Sequence, residues 1–297
     1  MIPRSFLFAP ADSEKKIGKA LGSVTDAVIL DLEDSVGLVN KAAARGLAAE
    51  TLSGTLSGAG RRAKSLWVRI NPLDGPLALA DLAGVVAGRP DGIILPKCEG
   101  PEHLRRLTHY LEALETQAGL APGAIPVLPL VTETPKALFT TGSYGGITPR
   151  LAGLTWGAED LSAGLGASSN RDPDGAFTFT CRMARSLCLA GAHAAEVAAV
   201  ETVYTDFRDL EGLAAYARAG RREGFSGMLA IHPDQVAVIN AAFTPSPEEI
   251  AHARRIVEAF AQAPGAGVVS LDGRMVDLPH LKQARRVLEA AARFGLG

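Results

Sequence analysis

Short, almost uninterrupted apolar runs recur along the chain, and each gives way to polar residues at its carboxyl end. They cover Ser5 to Phe8, Ala27 to Leu32, Leu66 to Ile70, Gly92 to Leu95, Val127 to Val131, Leu151 to Trp156, Val197 to Val203 and Gly227 to Ile231. Runs of this length and composition predict buried strands. Helical patterns separate most of them. One helix follows a Ser13 cap and runs to Leu21, and an alanine-rich helix starts at Lys41. Others cover Pro101 to Gln117, the region near Ala176 to Ala190, and Leu210 to Arg222. Strands alternating with helices imply parallel β/α units, and eight such units can close into a barrel. An open doubly wound sheet is the alternative. It would usually carry a glycine fingerprint after the first strand, where Phe8-Ala-Pro-Ala-Asp-Ser has none, and Gly164-Leu-Gly166 is too short to serve. After the eighth run come a helix at Pro233 to Ala241 and another at Pro247 to Ala261. A strand pair around Val268 to Val276 follows, turning at Asp272-Gly273, and a last helix starts at His280. The expectation is a (β/α)8 barrel over 1–241 with a C-terminal helical extension over 242–297.

Composition points to order almost throughout the chain. With 297 residues and 47% hydrophobic content, it can bury a full core as two ordinary domains or one large barrel. The net charge of -2 mixes both signs along the chain, which points to no nucleic-acid and no membrane partner. Cys98, Cys181 and Cys188 have no zinc spacing, and Cys181 and Cys188 fall on one face of an expected helix, so reduced packing roles are expected. The N-terminus lacks the pattern of a signal peptide and no stretch reaches membrane-span length. A cytoplasmic enzyme is the expectation.

Candidate chemistry gathers at the strand ends, where a barrel places its active site. Glu33, Arg69, Lys97, Glu133, Asp160, Asp206 and His232 all follow or close apolar runs. Either Glu133 or Asp160 alone reads well as a helix cap. The pair also suits a hard divalent cation such as Mg2+, which takes one or two carboxylates and completes its shell with water and substrate oxygens. Arg69 would be costly in a strand unless it pairs with a structural acid or faces the mouth, where its fork fits a carboxylate or enolate oxygen. Lys97 reads as a partner for an acid, and His232 as a loop histidine. Schiff-base chemistry at Lys97 ranks below the metal, because surrounding acids would raise the lysine's pKa. The remaining histidines show no zinc spacing, and no Gly-x-Ser-x-Gly elbow occurs.

Several ordered motifs carry a resemblance. Arg4-Ser-Phe-Leu-Phe, Asp26-Ala-Val-Ile-Leu-Asp-Leu-Glu-Asp-Ser-Val, Val68-Arg-Ile-Asn, Asp91-Gly-Ile-Ile-Leu-Pro-Lys, Thr132-Glu-Thr and Gly157-Ala-Glu-Asp-Leu occur in that order. Thr202-Val-Tyr-Thr-Asp-Phe-Arg-Asp, Gly227-Met-Leu-Ala-Ile-His-Pro-Asp-Gln and Leu271-Asp-Gly-Arg-Met-Val-Asp follow them. Together they resemble the HpcH/HpaI aldolase superfamily in its citrate lyase beta-subunit-like, CoA ester lyase branch, over essentially the whole chain.

The resemblance implies a TIM barrel with a C-terminal extension that packs on a neighbouring subunit of a homotrimer or a multiple of one. It also implies Mg2+-dependent cleavage or formation of a C–C bond in a malyl-, citramalyl- or citryl-CoA type ester, with a CoA thioester and a 2-oxo acid as substrates. By the same carry-over, Glu133 and Asp160 would hold the metal, and Arg69 would bind the substrate oxyanion. Glu33 and Asp34 would organise their surroundings, while Arg4, Phe6 and Lys15 would lie near the CoA nucleotide. Pro10-Ala11 departs from the Pro-Gly of many relatives, so the helix start there would approach phosphates less closely. Asp277 reads in isolation as a helix cap, and the resemblance makes it the acid or base that completes a neighbour's site. Thioester hydrolysis and a non-catalytic beta-like subunit are the rival readings.

Overall fold

The computed structural model describes residues 2–54 and 64–296. The chain divides into two compact units, Met1–Asn240 and Ala241–Gly297. In the first unit, β1 (Ser5–Pro10) leads to α1 (Glu14–Gly22), β2 (Ala27–Asp31) to α2 (Lys41–Gly54), and β3 (Ser65–Arg69) to α3 (Ala78–Val85). Then come β4 (Gly92–Leu95), α4 (Pro101–Gln117), β5 (Val127–Pro129), β6 (Gly153–Thr155), α5 (Glu159–Gly164) and α6 (Phe179–Ala194). The unit continues through β7 (Ala198–Glu201), α7 (Leu210–Glu223), β8 (Gly227–Ala230) and most of α8 (Pro233–Phe243). The Ser13 side chain caps α1 as anticipated, accepting from Lys16 N at 3.4 Å, and the structure adds Asp209 as the cap of α7.

The strands form one parallel sheet in the order β5-β4-β3-β2-β1-β8-β7-β6. Its two ends also meet. Val127 and Leu130 bridge Leu151 and Thr155 in parallel, and Val131 N donates to Thr155 O at 3.0 Å, so the sheet closes into an eight-stranded barrel. Inside, Phe6, Ile29, Trp67, Ile94, Leu128, Val200 and Leu229 fill the space, with Phe6 and Trp67 edge to face at 5.4 Å. Trp67 fits because β4 begins with Gly92: a Cβ there would lie 2.2 Å from the indole.

Strands β5 and β6 are shorter than the apolar runs that predict them, because those runs continue into loops where Leu130, Val131 and Trp156 are still buried. The helix α3 has no counterpart among the sequence expectations; its short, strongly apolar stretch carries little helical periodicity. Cys98, Cys181 and Cys188 are free thiols and all buried. No described helix is long and apolar enough to cross a membrane.

The second unit holds α9 (Pro247–Ala261), a hairpin of β9 (Val268–Leu271) and β10 (Arg274–Asp277), and α10 (Leu278–Arg293). Ala253, Ile256, Phe260, Val276, Leu281 and Ala284 form its own small core. The hairpin turns through Asp272 and Gly273, both at positive φ, as the Asp-Gly pair anticipates.

Candidate active site

Barrel geometry selects which side chains can meet. Residues alternate between the interior and the helical layer, so two positions beyond the interior residues Phe6, Ile29 and Trp67 lie Phe8, Asp31 and Arg69. Asp31 and Arg69 are register partners on adjacent strands, which brings opposite charges together at the carboxyl end. Arg69 donates from Nε to Asp31 Oδ1 at 2.6 Å and from Nη2 to Oδ2 at 2.7 Å, with the Phe8 ring 4.7 Å from the guanidinium carbon. Burial alone would raise the Asp31 carboxyl, but the bidentate arginine more than offsets it and holds the group below its ordinary value.

The same carboxylate shapes the turn that follows. Asp31 accepts from Glu33 N at 3.0 Å and Ser35 N at 3.2 Å, turning the Glu33 side chain toward the mouth. There Lys97 Nζ donates to Glu33 Oε1 at 2.6 Å. Glu33 Oε2 is buried and lacks a hydrogen bond, although Arg69 Nη1 lies 2.9 Å away; the pair is close but not aligned as donor and acceptor. Burial outweighs both cations and raises the Glu33 carboxyl. Asp34 stands at the edge, 3.9 Å from Arg69 and 3.7 Å from Lys97.

Lys97 links this half to the remaining acids. Its backbone sits at φ 50, and its N–H donates to Glu133 Oε2 at 2.6 Å while Nζ lies 3.2 Å from Asp160 Oδ1. Burial would lower its pKa, yet the Glu33 hydrogen bond and the acids around it raise it above the ordinary lysine range, so it remains an ammonium rather than a nucleophilic amine. Glu133 follows β5 in an irregular segment and caps no helix; it is only 4% exposed. Burial first, then the neighbouring Glu33 and Asp160 charges, push its carboxyl up to about 8. Asp160 lies in the first turn of α5, so the favourable helix-end placement coexists with its place beside Lys97. Gly157 lets Glu133 sit against the α5 approach: a Cβ there would lie 3.0 Å from Glu133 Cγ and 3.1 Å from Oε1.

Five carboxylates, those of Asp31, Glu33, Asp34, Glu133 and Asp160, thus share two cations, Arg69 and Lys97. The imbalance is concentrated at Glu133, whose one hydrogen bond comes from an amide. An oxygen-only donor set with excess negative charge fits a hard divalent cation such as Mg2+. Among the described residues, the group whose candidate ligand atoms all lie within 4.8 Å of one another is a different one, Asp74, Glu99 and His103, and its partners make it fit less well. Arg106 already holds Asp74 at 2.5 Å and Lys136 holds Glu99 at 2.9 Å, so a cation there would have to displace both.

Other candidates lie elsewhere in the structure. Asp206 accepts from Arg208 N, and His232 stacks on Phe207 at 5.0 Å; neither bonds to the acid cluster. Arg4 pairs bidentately with Asp26 where β1 and β2 begin, the end of the strands away from the acids. Phe6, 0% exposed, is a core residue and has no surface to offer a nucleotide. Lys15 lies exposed on α1. The structure therefore does not bring Arg4, Phe6 and Lys15 together as a binding surface. Asp277 caps α10, accepting from His280 N at 3.4 Å, and its carboxyl is held below the ordinary range by the His280 side chain. Sequence reasoning gave no role to Phe8 and Gly157, and saw Asp31 only as one acid of the cluster that closes the second run. An acid in the last position of a buried strand was the visible signal for Asp31.

A model of the HpcH/HpaI aldolase/citrate lyase family matches residues 4–233, and one for C–C bond lyases of the TIM-barrel fold matches residues 184–296. The chain is 35% identical to mitochondrial citramalyl-CoA lyase of Mus musculus, covering 97% of this chain and 86% of that one. It is 36% identical to a (3S)-malyl-CoA thioesterase of Cereibacter sphaeroides, covering 98% and 96% respectively. Among solved structures it resembles the protein CitE of Mycobacterium tuberculosis in complex with magnesium, acetoacetate and coenzyme A, at 34% identity and a TM-score of 0.78. That likeness covers 97% of this chain and 98% of the other.

Proposed function

The chain belongs to the HpcH/HpaI aldolase/citrate lyase family, and we propose that it is a Mg2+-dependent carbon–carbon lyase of 3-hydroxyacyl-CoA esters. The products of cleavage are an acyl-CoA and a 2-oxo acid, and the malyl-, citramalyl- and citryl-CoA esters are the substrate class. The observation that carries the reading is the linkage of the underbalanced acids Glu133, Asp160 and Glu33 through Lys97, with the Arg69 guanidinium beside Glu33, at the carboxyl mouth. A purely structural beta-like subunit would have no use for that imbalance.

In this reading Glu133 and Asp160 hold the cation, with Glu33 and Asp34 arranging the groups around it. When bound, Mg2+ supplies a Lewis acid for the oxygens of the 2-oxo acid half. Arg69 does the same work without a metal for the thioester. Asp31 takes Nε and one edge of Nη2, leaving the N–H groups on Nη1 and the rest of Nη2 for a developing enolate oxygen. Lys97 stays protonated and tethers Glu33 and Asp160 in place.

In the cleavage direction the hydroxyl proton leaves to a base and the C–C bond breaks, its electron pair remaining on the acyl-CoA as the enolate. A proton then reaches the enolate carbon. The acids at the mouth are committed to cations, so that proton needs a separate carboxyl. Asp277 of a neighbouring copy in a cytoplasmic homotrimer is our candidate: protonated, it delivers its proton to the enolate carbon in cleavage, and ionised, as its His280 contact favours, it takes that proton from the acyl-CoA in the bond-forming direction. The C-terminal unit would then pack on a neighbouring subunit.

Incubation of the purified protein with malyl-, citramalyl- and citryl-CoA, with and without Mg2+, tests the reading. Appearance of 2-oxo acid together with acyl-CoA, dependent on Mg2+, is the expected result. Free CoA without a persisting acyl-CoA would identify a thioesterase instead, the activity named for the relative from Cereibacter sphaeroides. Absence of turnover with all three esters would overturn the reading.

A further inference from the structure

Lys41 opens α2, and both features of its setting are unfavourable for a lysine. A cation at a helix N-terminus meets the positive end of the helix dipole, which is unfavourable. It also takes no carboxylate partner: its half-buried ammonium donates to three neutral oxygens, Leu32 O at 2.7 Å, Glu33 O at 2.7 Å and Asn71 Oδ1 at 2.9 Å. Two of the three belong to the backbone of the turn that presents Glu33. The third lies just beyond β3, two residues after Arg69.

The arrangement behind that turn is closed. Asn71 Nδ2 donates to Leu32 O at 3.0 Å and to Asp81 Oδ2 at 2.6 Å, while Asn71 N reaches the same Asp81 oxygen at 2.9 Å. Arg45, one turn along α2 from Lys41, holds Asp81 Oδ1 from Nε at 3.1 Å and Nη2 at 2.9 Å. Leu32 N donates to Arg69 O at 2.9 Å. Asp31 thus grips the Glu33 turn from its amide side, and Lys41 grips it from its carbonyl side.

We infer that Lys41 is a positioning residue for the proposed reaction, fixing the main chain at Leu32 and Glu33 so that the Glu33 carboxylate stays between Lys97 and Arg69. The inference rests on the lyase reading only for its catalytic consequence. Glu33 has few alternatives once its backbone is fixed, since Lys97 Nζ and Arg69 Nη1 stand on either side of its carboxylate. Released from Lys41, the turn can move by an ångström, and misplacement of that size commonly costs on the order of 100-fold in rate.

The test compares wild type with Lys41→Met, which keeps the side-chain stem and removes the donors, and with Glu33→Gln and the double variant. Amide exchange across 33–36 needs neither substrate nor metal, and we expect it to rise at least about tenfold in folded Lys41→Met. Turnover should fall about 10- to 100-fold in kcat with KM for the acyl-CoA ester unchanged, and Mn2+ binding followed by electron paramagnetic resonance should weaken. In the Glu33→Gln background the same lysine change should cost less than about threefold, because its effect passes through Glu33.

A purely structural lysine would lower the melting temperature without that non-additivity. Unchanged exchange across 33–36 would overturn the inference, and so would losses that multiply in the double variant. If wild type binds Mn2+ but turns over none of the esters, the lyase reading fails, and the inference is judged on exchange and on the double-variant cycle in Mn2+ affinity. Should Lys41→Met not fold, Lys41→Gln, whose shorter amide retains a donor, is measured the same way.

Discussion

The Asp31 carboxylate meets the Arg69 guanidinium edge to edge across register-matched positions of β2 and β3, and the same two oxygens anchor the turn that delivers Glu33. One buried acid therefore orients both the Arg69 fork, which we propose meets the substrate, and its nearest carboxylate. Asp31→Asn keeps the size but loses the second charged acceptor, so kcat/KM should fall about 100-fold, or roughly 2.7 kcal/mol in transition-state stabilisation. Arg69→Lys should fail nearly as badly as Arg69→Ala, because a point charge cannot accept the bidentate orientation and still present a planar edge. Steady-state kinetics of the three variants check this; recovery of most activity by the lysine variant would reduce Arg69 to charge balance.

The same pair makes a stability prediction with a definite sign. Asp31 has a folded pKa below its unfolded value of about 3.9. Its pairing therefore contributes fully above that pH and is lost as the pH falls through the folded value. Breaking a buried pair typically costs about 3 kcal/mol. Urea midpoints measured from pH 7 down to pH 3 should show Asp31→Asn well below wild type at pH 7, with the gap narrowing below about pH 4. A constant gap would remove Asp31 from the acid dependence.

Barrel class was legible because each apolar run is bounded by turn or helix signals, as at Gly92 to Leu95 before Pro96 and Lys97. The site was legible in outline for the same reason: Glu133 and Asp160 follow the runs that become β5 and β6. What was not legible depends on three-dimensional register. Nothing local says that Asp31 and Arg69 are lateral partners, nor that Lys41 turns back to carbonyls eight and nine positions earlier. Phe6 and Phe8 differ by two positions in one strand. Only the depth of each in the barrel separates a core residue from one beneath Arg69. Arg4, which the resemblance put near a nucleotide, is held in a salt bridge, and His232, read as a loop histidine, stacks on a ring.

Glu133 is buried among like charges, so the site should be a source of instability that the cation relieves. Mg2+ should raise the melting temperature of wild type by preferential binding to the folded state. Glu133→Gln should melt above wild type in the absence of Mg2+ and show no Mg2+-dependent rise, while Glu133→Ala and Asp160→Ala should abolish Mg2+-dependent turnover with the fold retained. Calorimetric melts with and without Mg2+, read beside the kinetics, decide it. Near-wild-type rates for either alanine variant at limiting Mg2+ would end its assignment as a ligand.

Gly157 offers a subtler probe of the same site. An added methyl would stand 3.0 Å from Glu133 Cγ, close enough to push the carboxylate aside by a few tenths of an ångström. Gly157→Ala should weaken Mg2+ binding about tenfold while lowering stability by no more than about 1 kcal/mol, since its backbone is not among the glycines at positive φ. Isothermal titration with Mg2+ measures the first and urea unfolding the second. Unchanged affinity would mean that Glu133 has room to move without consequence.

The last prediction concerns Asp277, whose visible role is to cap α10 together with His280. A cap alone predicts that Asp277→Ala loses about 1 kcal/mol of stability and little activity. The trans reading predicts that activity collapses while Mg2+ affinity is kept, because Asp277 serves proton transfer and touches no cation. It also predicts complementation. Mixing inactive Asp277→Ala with inactive Glu133→Ala under conditions that exchange subunits should restore about one quarter of the sites. Each working site needs an intact Glu133 on one chain and an intact Asp277 on its neighbour across a heterologous interface. Asp277→Asn separates the two roles further, since asparagine caps helices nearly as well as aspartate but cannot act as a general acid or base. Retained activity in Asp277→Asn, or full subunit exchange with no recovery in the mixture, would leave Asp277 as a cap only.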